Sequence, residues 1–131
     1  MNFLLKVTED QHILIKEYTE VLNTVEEAFE YIVDSFTNLE KTEGDVLLTD
    51  VFQALPQIVT VNEQLSILFQ DYPSIQKVLQ VFDVVMEKAE LLDGNFADAQ
   101  IKQTVIREQL YPAFAAWSVM IQQELKPYVI L

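Results

Sequence analysis

Apolar residues that recur every three or four positions from residue 8 to residue 41 constrain this chain most. No glycine or proline interrupts this stretch. At 3.6 residues per turn, such spacing gathers the apolar side chains on one side of an α-helix, in an arc of roughly 140°. Two parallel rows form the arc: Leu14, Tyr18, Val21, Val25, Ala28, Ile32, Phe36 and Leu39, and Ile15, Leu22, Phe29 and Val33. We therefore predict one long amphipathic helix over residues 8–41.

Local signals set the expected ends of this first helix. Thr8 is followed three residues later by Gln11, which is the spacing of a capping box. Gly44 lies shortly after the last apolar residue of the rows, and glycine tolerates the left-handed turn that closes many helices. We expect the helix to start at the Thr8 cap and to end near Lys41, before Gly44.

The same periodicity returns in residues 46–70, after Asp45, whose side chain suits an N-cap. Pro56 lies inside this segment, and proline lacks an N–H group and crowds the preceding turn. Because the apolar spacing continues through Pro56, we expect a kink there and not a break. A third helix is expected over residues 73–93, beginning at Pro73 because proline suits the first helical turn.

A fourth periodic segment, residues 97–126, follows a turn around Gly94. Pro112 lies in its middle, so we expect the helix to be kinked or split at that residue. Four helices joined by short links place sequence neighbours antiparallel. The sequence therefore predicts an all-α, up-down four-helix bundle that forms a single domain over residues 1–131.

Composition excludes several functional classes. The chain has no cysteine, so it holds no disulfide scaffold, cysteine-based zinc site or thiol nucleophile. Its 21 acidic residues outnumber eight basic ones, for a net charge of −13. We expect no nucleic-acid binding, because phosphate contacts need clustered lysine and arginine. Half of the residues are hydrophobic, too many for a disordered chain.

No segment is expected to enter a membrane. The longest nearly apolar run, residues 110–121, contains Pro112 and Ser118 and is shorter than the roughly 20 residues that cross a bilayer. The apolar stretch at the N-terminus is too short for a secretory signal and runs directly into acidic residues. We therefore expect a cytoplasmic protein.

The sequence also lacks the usual catalytic patterns. His12 is the single histidine, so di-iron bundles and three-histidine metal sites are not expected. No serine lies in a Gly-x-Ser-x-Gly turn, and both glycines are isolated, which argues against a nucleophile elbow and a phosphate-binding loop. We expect no catalytic residue, no cofactor and no metal site.

One carboxylate pattern is kept as an alternative. Glu27-x-x-Glu30 and Glu90-x-x-Asp93 resemble the paired carboxylates of MazG-type nucleotide pyrophosphatases. That resemblance implies a Mg²⁺ site of hard oxygen ligands and hydrolysis of nucleoside triphosphates. The two pairs lie farther apart than in that family, and Glu27 is expected on the side of the first helix that faces away from the apolar arc.

Charge is concentrated in the first part of the chain and suggests one interaction surface. Residues 8–50 hold 12 acidic residues and two lysines. Glu20, Glu27 and Asp34 project from the first helix opposite its apolar arc, so they form a predicted acidic face. Such a face can steer a basic partner towards the helix or simply keep the protein in solution.

The C-terminus suggests a second interaction surface. It ends in the apolar residues Tyr128, Val129, Ile130 and Leu131. Together with wide apolar arcs on the helices, this tail offers more hydrophobic surface than one four-helix core is expected to bury. We expect a non-catalytic protein that acts through protein–protein interaction, as a homodimer or with a protein partner.

A narrower alternative belongs to the same functional class. Small, acidic, helical proteins of this size resemble flagellar or type III secretion chaperones. The resemblance covers size, charge and helicity, and it implies that the chain holds an amphipathic helix of an exported protein. The sequence identifies neither a partner nor a small-molecule ligand.

Overall fold

A computed structural model describes residues 4–130 of the chain, and in this range it contains helices and no strand. The helices are α1 (Glu9–Ser35), α2 (Gly44–Leu68), α3 (Pro73–Glu90), α4 (Ala99–Val105) and α5 (Tyr111–Val129), with a π turn over Ile106–Leu110 between α4 and α5. The predicted all-α fold is confirmed.

The helices form a closed ring. α1 packs against α2 and α5, and α3 packs against the same two neighbours. Antiparallel packing brings Leu5, before α1, to Tyr128 at the end of α5, and it brings Val78 of α3 to Trp117 of α5. With α4, the π turn and α5 as its fourth segment, the molecule is the predicted up-down four-helix bundle.

The capping box at the start of α1 is confirmed. The hydroxyl of Thr8 accepts a hydrogen bond from the Gln11 N–H at 3.1 Å, and the side-chain oxygen of Gln11 accepts one from the Thr8 N–H at 2.9 Å. These two bonds satisfy backbone donors that have no partner inside the helix.

The predicted end of the first helix at residue 41 was wrong, because α1 ends at Ser35. Residues 36–43 form a loop that includes turns, in which the side chain of Asn38 accepts a hydrogen bond from the Glu40 N–H at 3.0 Å. Asparagine side chains that bond to nearby backbone compete with helical hydrogen bonding. Leu39 consequently lies outside the core and is 93% exposed.

The start of α2 also differs from the prediction. The helix begins at Gly44, and its N-cap is Glu43, without a capping side-chain bond, instead of Asp45. A Cβ atom on Gly44 would lie only 2.7 Å from the hydroxyl oxygen of Ser35. A side chain at position 44 would therefore displace the Ser35 hydroxyl where the two helix ends approach, and Gly44 makes no left-handed turn after α1.

Two further boundaries follow local chemistry. α2 continues through Pro56 as one helix, so the proline does not split it. α3 begins at Pro73 as predicted but ends at Glu90, three residues before the expected end. Gly94, in the following turn, has a φ of 76°, a left-handed conformation that glycine adopts at little cost.

The fourth segment was expected over residues 97–126 and extends to Val129, through Pro127. It is not split at Pro112. Instead, the N–H of Tyr111 donates to the carbonyl of Ile106, five residues earlier, which closes the π turn. This widened turn lies directly before Pro112, where the proline ring would crowd an ordinary α-helical turn.

The core lies along the axis of the bundle. Trp117 is fully buried, its indole N–H donates to the carbonyl of Val78 at 3.0 Å, and its ring lies 4.4 Å from that of Phe82. From the predicted rows of the first helix, Ile15, Leu22 and Phe29 have no exposed surface. Among residues 4–130, no helix combines the length and the apolar character that a membrane crossing requires.

Candidate functional site

An open groove of about 770 Å³ lies between α1 and α2. Its floor is apolar. Val25 and Val51 are buried at the bottom of the groove, Ala28 and Ala54 are half-buried beside them, and Val21 is exposed at the edge. We call this feature the α1–α2 groove.

Small side chains explain why the groove stays open. Ala28 and Ala54 supply one methyl group each at positions where the two helices present apolar surface to each other. A larger residue at either position would occupy part of the space above the floor. Because these alanines are small, apolar surface of both helices remains accessible at Val21, Ala28, Leu47 and Ala54, above the buried valines.

The edges of the groove are acidic. Glu17, Glu20 and Glu27 line it from α1, and Asp50 lines it from α2. All four of these rim carboxylates are exposed, and none of the described residues that line the groove is basic. From Glu17 to Tyr31 the groove extends about 21 Å along α1 at a rise of 1.5 Å per residue.

At one end of the groove, the charge of Asp34 is paired. The ammonium of Lys41 lies 3.1 Å from a carboxylate oxygen of Asp34 and 5.1 Å from the centre of the Tyr31 ring. Asp34 does not line the groove. Of the predicted acidic face, Glu20 and Glu27 are therefore brought to the groove, whereas Asp34 belongs to an ion pair beside it.

At the other end, a buried polar contact joins α1 to α2. The hydroxyl of Tyr18 donates a hydrogen bond to the side-chain oxygen of Asn62. Burial raises the pKa of Tyr18 well above its usual value, because the charged phenolate would lose its hydration. Tyr18 therefore stays neutral and keeps Asn62 paired.

On the opposite flank of α1, aromatic rings fill the space towards α5. Phe29 stacks on Tyr111 with ring centres 5.6 Å apart and packs against Phe114 at 5.5 Å. The hydroxyl of Tyr111 donates to a carboxylate oxygen of Glu30 at 3.5 Å. Partial burial, followed by the negative charges of Glu30 and Glu26, raises the pKa of Tyr111.

Further along this flank lies a second, smaller groove of about 490 Å³, which we call the α1–α5 face. Polar residues dominate its lining, and its two charged residues, Glu26 and Lys126, have opposite signs. Val119 and Ile130 are its most exposed apolar residues, at 53% and 74%. The α1–α5 face is therefore close to neutral, unlike the α1–α2 groove.

The predicted apolar tail, residues 128–131, is exposed only in part. Tyr128 is buried, which corrects its assignment to an exposed patch. Its hydroxyl accepts a hydrogen bond from the Leu5 N–H at 3.1 Å, and its carbonyl accepts one from Nδ1 of His12 at 2.6 Å. Val129 is half-buried and Ile130 is exposed, while Leu131 lies outside the described residues.

The two carboxylate pairs of the pyrophosphatase alternative do not come together. Glu27 lines the groove towards α2, whereas Glu30 meets Tyr111 on the opposite flank of α1. Glu90 ends α3, and Asp93 lies in the turn that follows. Within residues 4–130, no three His, Asp or Glu side chains are grouped so that they could hold a metal ion.

Residues 13–120 match the family described as "Domain of unknown function (DUF8042)". The chain belongs to this family. It is also similar to the protein of Bacillus subtilis (strain 168) called "Uncharacterized protein YvzG", with 26% identity over 127 residues that cover 96% of this chain and 99% of the relative. No solved structure matches the chain. The matched residues include all of α2 and the whole stretch of α1 that lines the groove.

Sequence reasoning found Glu20 and Glu27 but missed the groove beside them. Glu17, on the same helix, was not singled out, and Asp50 lies on α2, which the sequence alone does not place beside α1. The available signal was Ala28, a small residue within a row of large apolar ones. Its meaning depends on Ala54, which the sequence alone does not place opposite α1.

Proposed function

We propose that this protein is a non-catalytic interaction module that docks a protein partner in the α1–α2 groove. The observation that carries the proposal is the accessible apolar surface of Val21, Ala28, Leu47 and Ala54 between two helices, above the buried Val25 and Val51. On the other side of α1, the rings of Phe29, Tyr111 and Phe114 occupy the space towards α5, and the groove beyond them is smaller and mainly polar.

The dimensions of the groove favour a helical partner. A helix of about 14 residues matches its length of about 21 Å. Amphipathic helices dock in apolar grooves through side chains spaced three and four residues apart. The exposed carboxylates at the rim stay hydrated in the free protein, which suits attraction of a partner more than the transfer of a proton in a desolvated site.

A single-cysteine photo-crosslinking experiment tests this proposal. Because the chain has no cysteine, Ala54→Cys creates one attachment point, on the groove floor, for a benzophenone maleimide. In an extract of the source organism, irradiation should give one dominant heavier product that mass spectrometry identifies as an adduct with another protein. The matched control is Gln53→Cys, on the adjacent exposed residue of the same helix.

Two results would contradict docking in the groove. One is equal crosslinking from positions 53 and 54, which indicates random collision with the surface. The other is the absence of any protein adduct from position 54 when circular dichroism shows that the labelled chain is folded. An adduct with twice the mass of the chain would instead identify a second copy as the occupant.

Self-association is a second candidate function, favoured by the α1–α5 face. Val119 and Ile130 are exposed there, and the opposite charges of Glu26 and Lys126 balance. Two copies with a net charge of −13 each repel one another least where their contact surfaces are neutral. We propose that the chain forms a homodimer through this face.

Light scattering tests the homodimer. The parent chain should have twice its 15.1 kDa mass, and the double variant Val119→Asp and Ile130→Asp should have the single mass. The control, Gln53→Asp with Thr60→Asp, adds the same charge to exposed positions of α2 and should leave the dimer intact. A parent chain of 15.1 kDa at high concentration would rule out self-association.

The secretion-chaperone hypothesis is a narrower form of the docking proposal. Its support is the length of the α1–α2 groove, which matches that of one short amphipathic helix. The crosslink from position 54 tests it directly, because the captured protein should be a substrate or component of an export system. Capture of a protein unrelated to secretion would remove this hypothesis and leave docking itself in place.

A further inference from the structure

On the basis of the proposed docking function, we propose that the occupant of the α1–α2 groove is a cationic amphipathic helix of a different protein. The apolar face of this helix would cover the accessible apolar surface of Val21, Ala28, Leu47 and Ala54. Lysine or arginine side chains along its two edges would meet the rim carboxylates. Three features of the molecule support this choice of partner.

The first feature is the arrangement of the rim carboxylates. Glu17, Glu20 and Glu27 follow one edge of the groove over about 15 Å, and Asp50 lies on the other edge. Residues that flank the apolar face of a docked helix therefore pass close to negative charge on both sides. Complementary charge of this kind sets orientation and speeds encounter more than it adds affinity.

The second feature is that the rim has no cation of its own. In the described part of the chain, ion pairs join Lys41 to Asp34, Lys102 to Asp45 and Arg107 to Glu108. None of these pairs involves a rim carboxylate. The four charges at the groove are therefore available to a partner.

The third feature argues against a second copy of this chain as the occupant. Groove-to-groove contact would bring eight carboxylates together without a cation, because each copy contributes four. Nor does the chain contain a suitable basic helix, since no two of its eight basic residues lie three or four positions apart. A cationic helix must therefore come from another protein.

Two synthetic probes test this inference on the full-length protein. The first is a fluorescent peptide of about 14 residues with leucine on one helical face and lysine on both edges. The second has glutamate at every lysine position and is otherwise identical. Fluorescence anisotropy should show that the lysine probe binds and the glutamate probe does not. Binding should weaken as ionic strength rises from about 0.1 M to about 1 M, because the Debye length shrinks from about 10 Å to about 3 Å.

Matched variants assign this binding to the groove. Replacing Glu20 and Glu27 by glutamine should weaken binding of the lysine probe roughly three- to tenfold, as expected when two exposed ion pairs are lost. The control, Glu87→Gln with Glu90→Gln on α3, makes the same change in net charge at exposed positions away from the groove. It should leave the affinity within about twofold of the parent, because exposed charges beyond a Debye length are screened.

The outcomes separate this inference from the proposed function. Equal binding of both probes would overturn the cationic partner while leaving docking in the groove. If the rim variant and the α3 control weaken binding of the lysine probe equally, the probe is attracted by the net charge of the protein and not by the groove. This result would overturn the inference. Absence of binding by the lysine probe would overturn it too, and the crosslink from position 54 would then decide the docking function independently.

Discussion

The two flanks of α1 differ although they belong to the same helix and the same apolar arc. Ala28 and Phe29 are consecutive residues, and Phe29 fills the space towards α5 with its ring against Tyr111. Ala28 leaves the floor open towards α2. The comparison shows that side-chain size, within a continuous apolar surface, decides whether two helices enclose a core or leave a groove.

Charge separates the same two flanks. The side towards α2 carries four rim carboxylates, and none of the described residues that line it is basic. On the side towards α5, Glu26 is balanced by Lys126. One helix therefore borders an acidic groove on one side and a nearly neutral groove on the other, and the two proposed partner classes follow this difference.

The largest change in stability should come from removing an aromatic ring on the side of α1 that faces α5. Phe29→Ala removes a fully buried ring that packs against Tyr111 and Phe114, so it should lower the free energy of unfolding by about 3–5 kcal/mol. Urea denaturation followed by circular dichroism measures this change. Val21→Ala, at an exposed edge of the groove, is the control and should cost far less. A loss below about 1 kcal/mol for Phe29→Ala would show that the rings do not hold this flank.

A smaller effect should follow on the flank towards α2, where a polar contact replaces the aromatic rings. Tyr18→Phe keeps the ring but leaves the side-chain oxygen of buried Asn62 without its donor. The free energy of unfolding should fall by about 1–3 kcal/mol. The double variant with Asn62→Leu removes both polar partners and should recover part of that loss in the same urea experiment. No recovery would mean that the two residues are not coupled.

The two flanks should also differ in alkaline solution. Burial raises the pKa of Tyr18 above its value of about 10 in the unfolded chain, so its stabilising contribution is complete below pH 10 and declines above it. The decline reaches at most about 1.4 kcal/mol per pH unit for one group. Urea midpoints measured from pH 8 to about pH 11.5 should fall less steeply in Tyr18→Phe. Tyr111→Phe, which removes a less buried tyrosine, should flatten the curve less, and the reverse order would contradict this assignment.

The smallest change in stability should come from a larger side chain in the α1–α2 groove. Ala28→Leu points into the groove, so the free energy of unfolding should change by no more than about 1 kcal/mol. Ala89→Leu, at a buried position of α3, adds the same atoms where no space is open and should cost about 1–3 kcal/mol. Thermal or urea unfolding of both variants compares them. Equal losses would mean that the groove closes in solution.

The sequence was sufficient to predict the architecture because helical periodicity and short links are local properties. The capping box at Thr8 and the start of α3 at Pro73 followed from chemistry within one turn. The end of α1 could not be predicted in this way, because the apolar spacing continues through Phe36 and Leu39. In the structure, Asn38 already bonds to the backbone of a turn. Spacing does not distinguish a helix from a turn that happens to keep the same pattern.

The candidate site was less predictable because it depends on residues that are distant along the chain. Asp50 joins Glu17 at the groove only after α2 has packed against α1. Tyr128 was assigned to a surface from its apolar neighbours. Its burial depends on Leu5 and His12, which lie at the other end of the sequence and bond to it.

The wide turn over Ile106–Leu110 sets the phase of the last helix. It uses one residue more than an α-turn, so α5 is rotated by about 100° from the direction that α4 alone would impose. Tyr111, whose N–H closes this turn, meets Phe29 from the rotated position. Deleting a single residue from this turn would rotate the Tyr111 ring away from α1. The contact between the first and last helices therefore depends on the number of residues in the turn as well as on their identity.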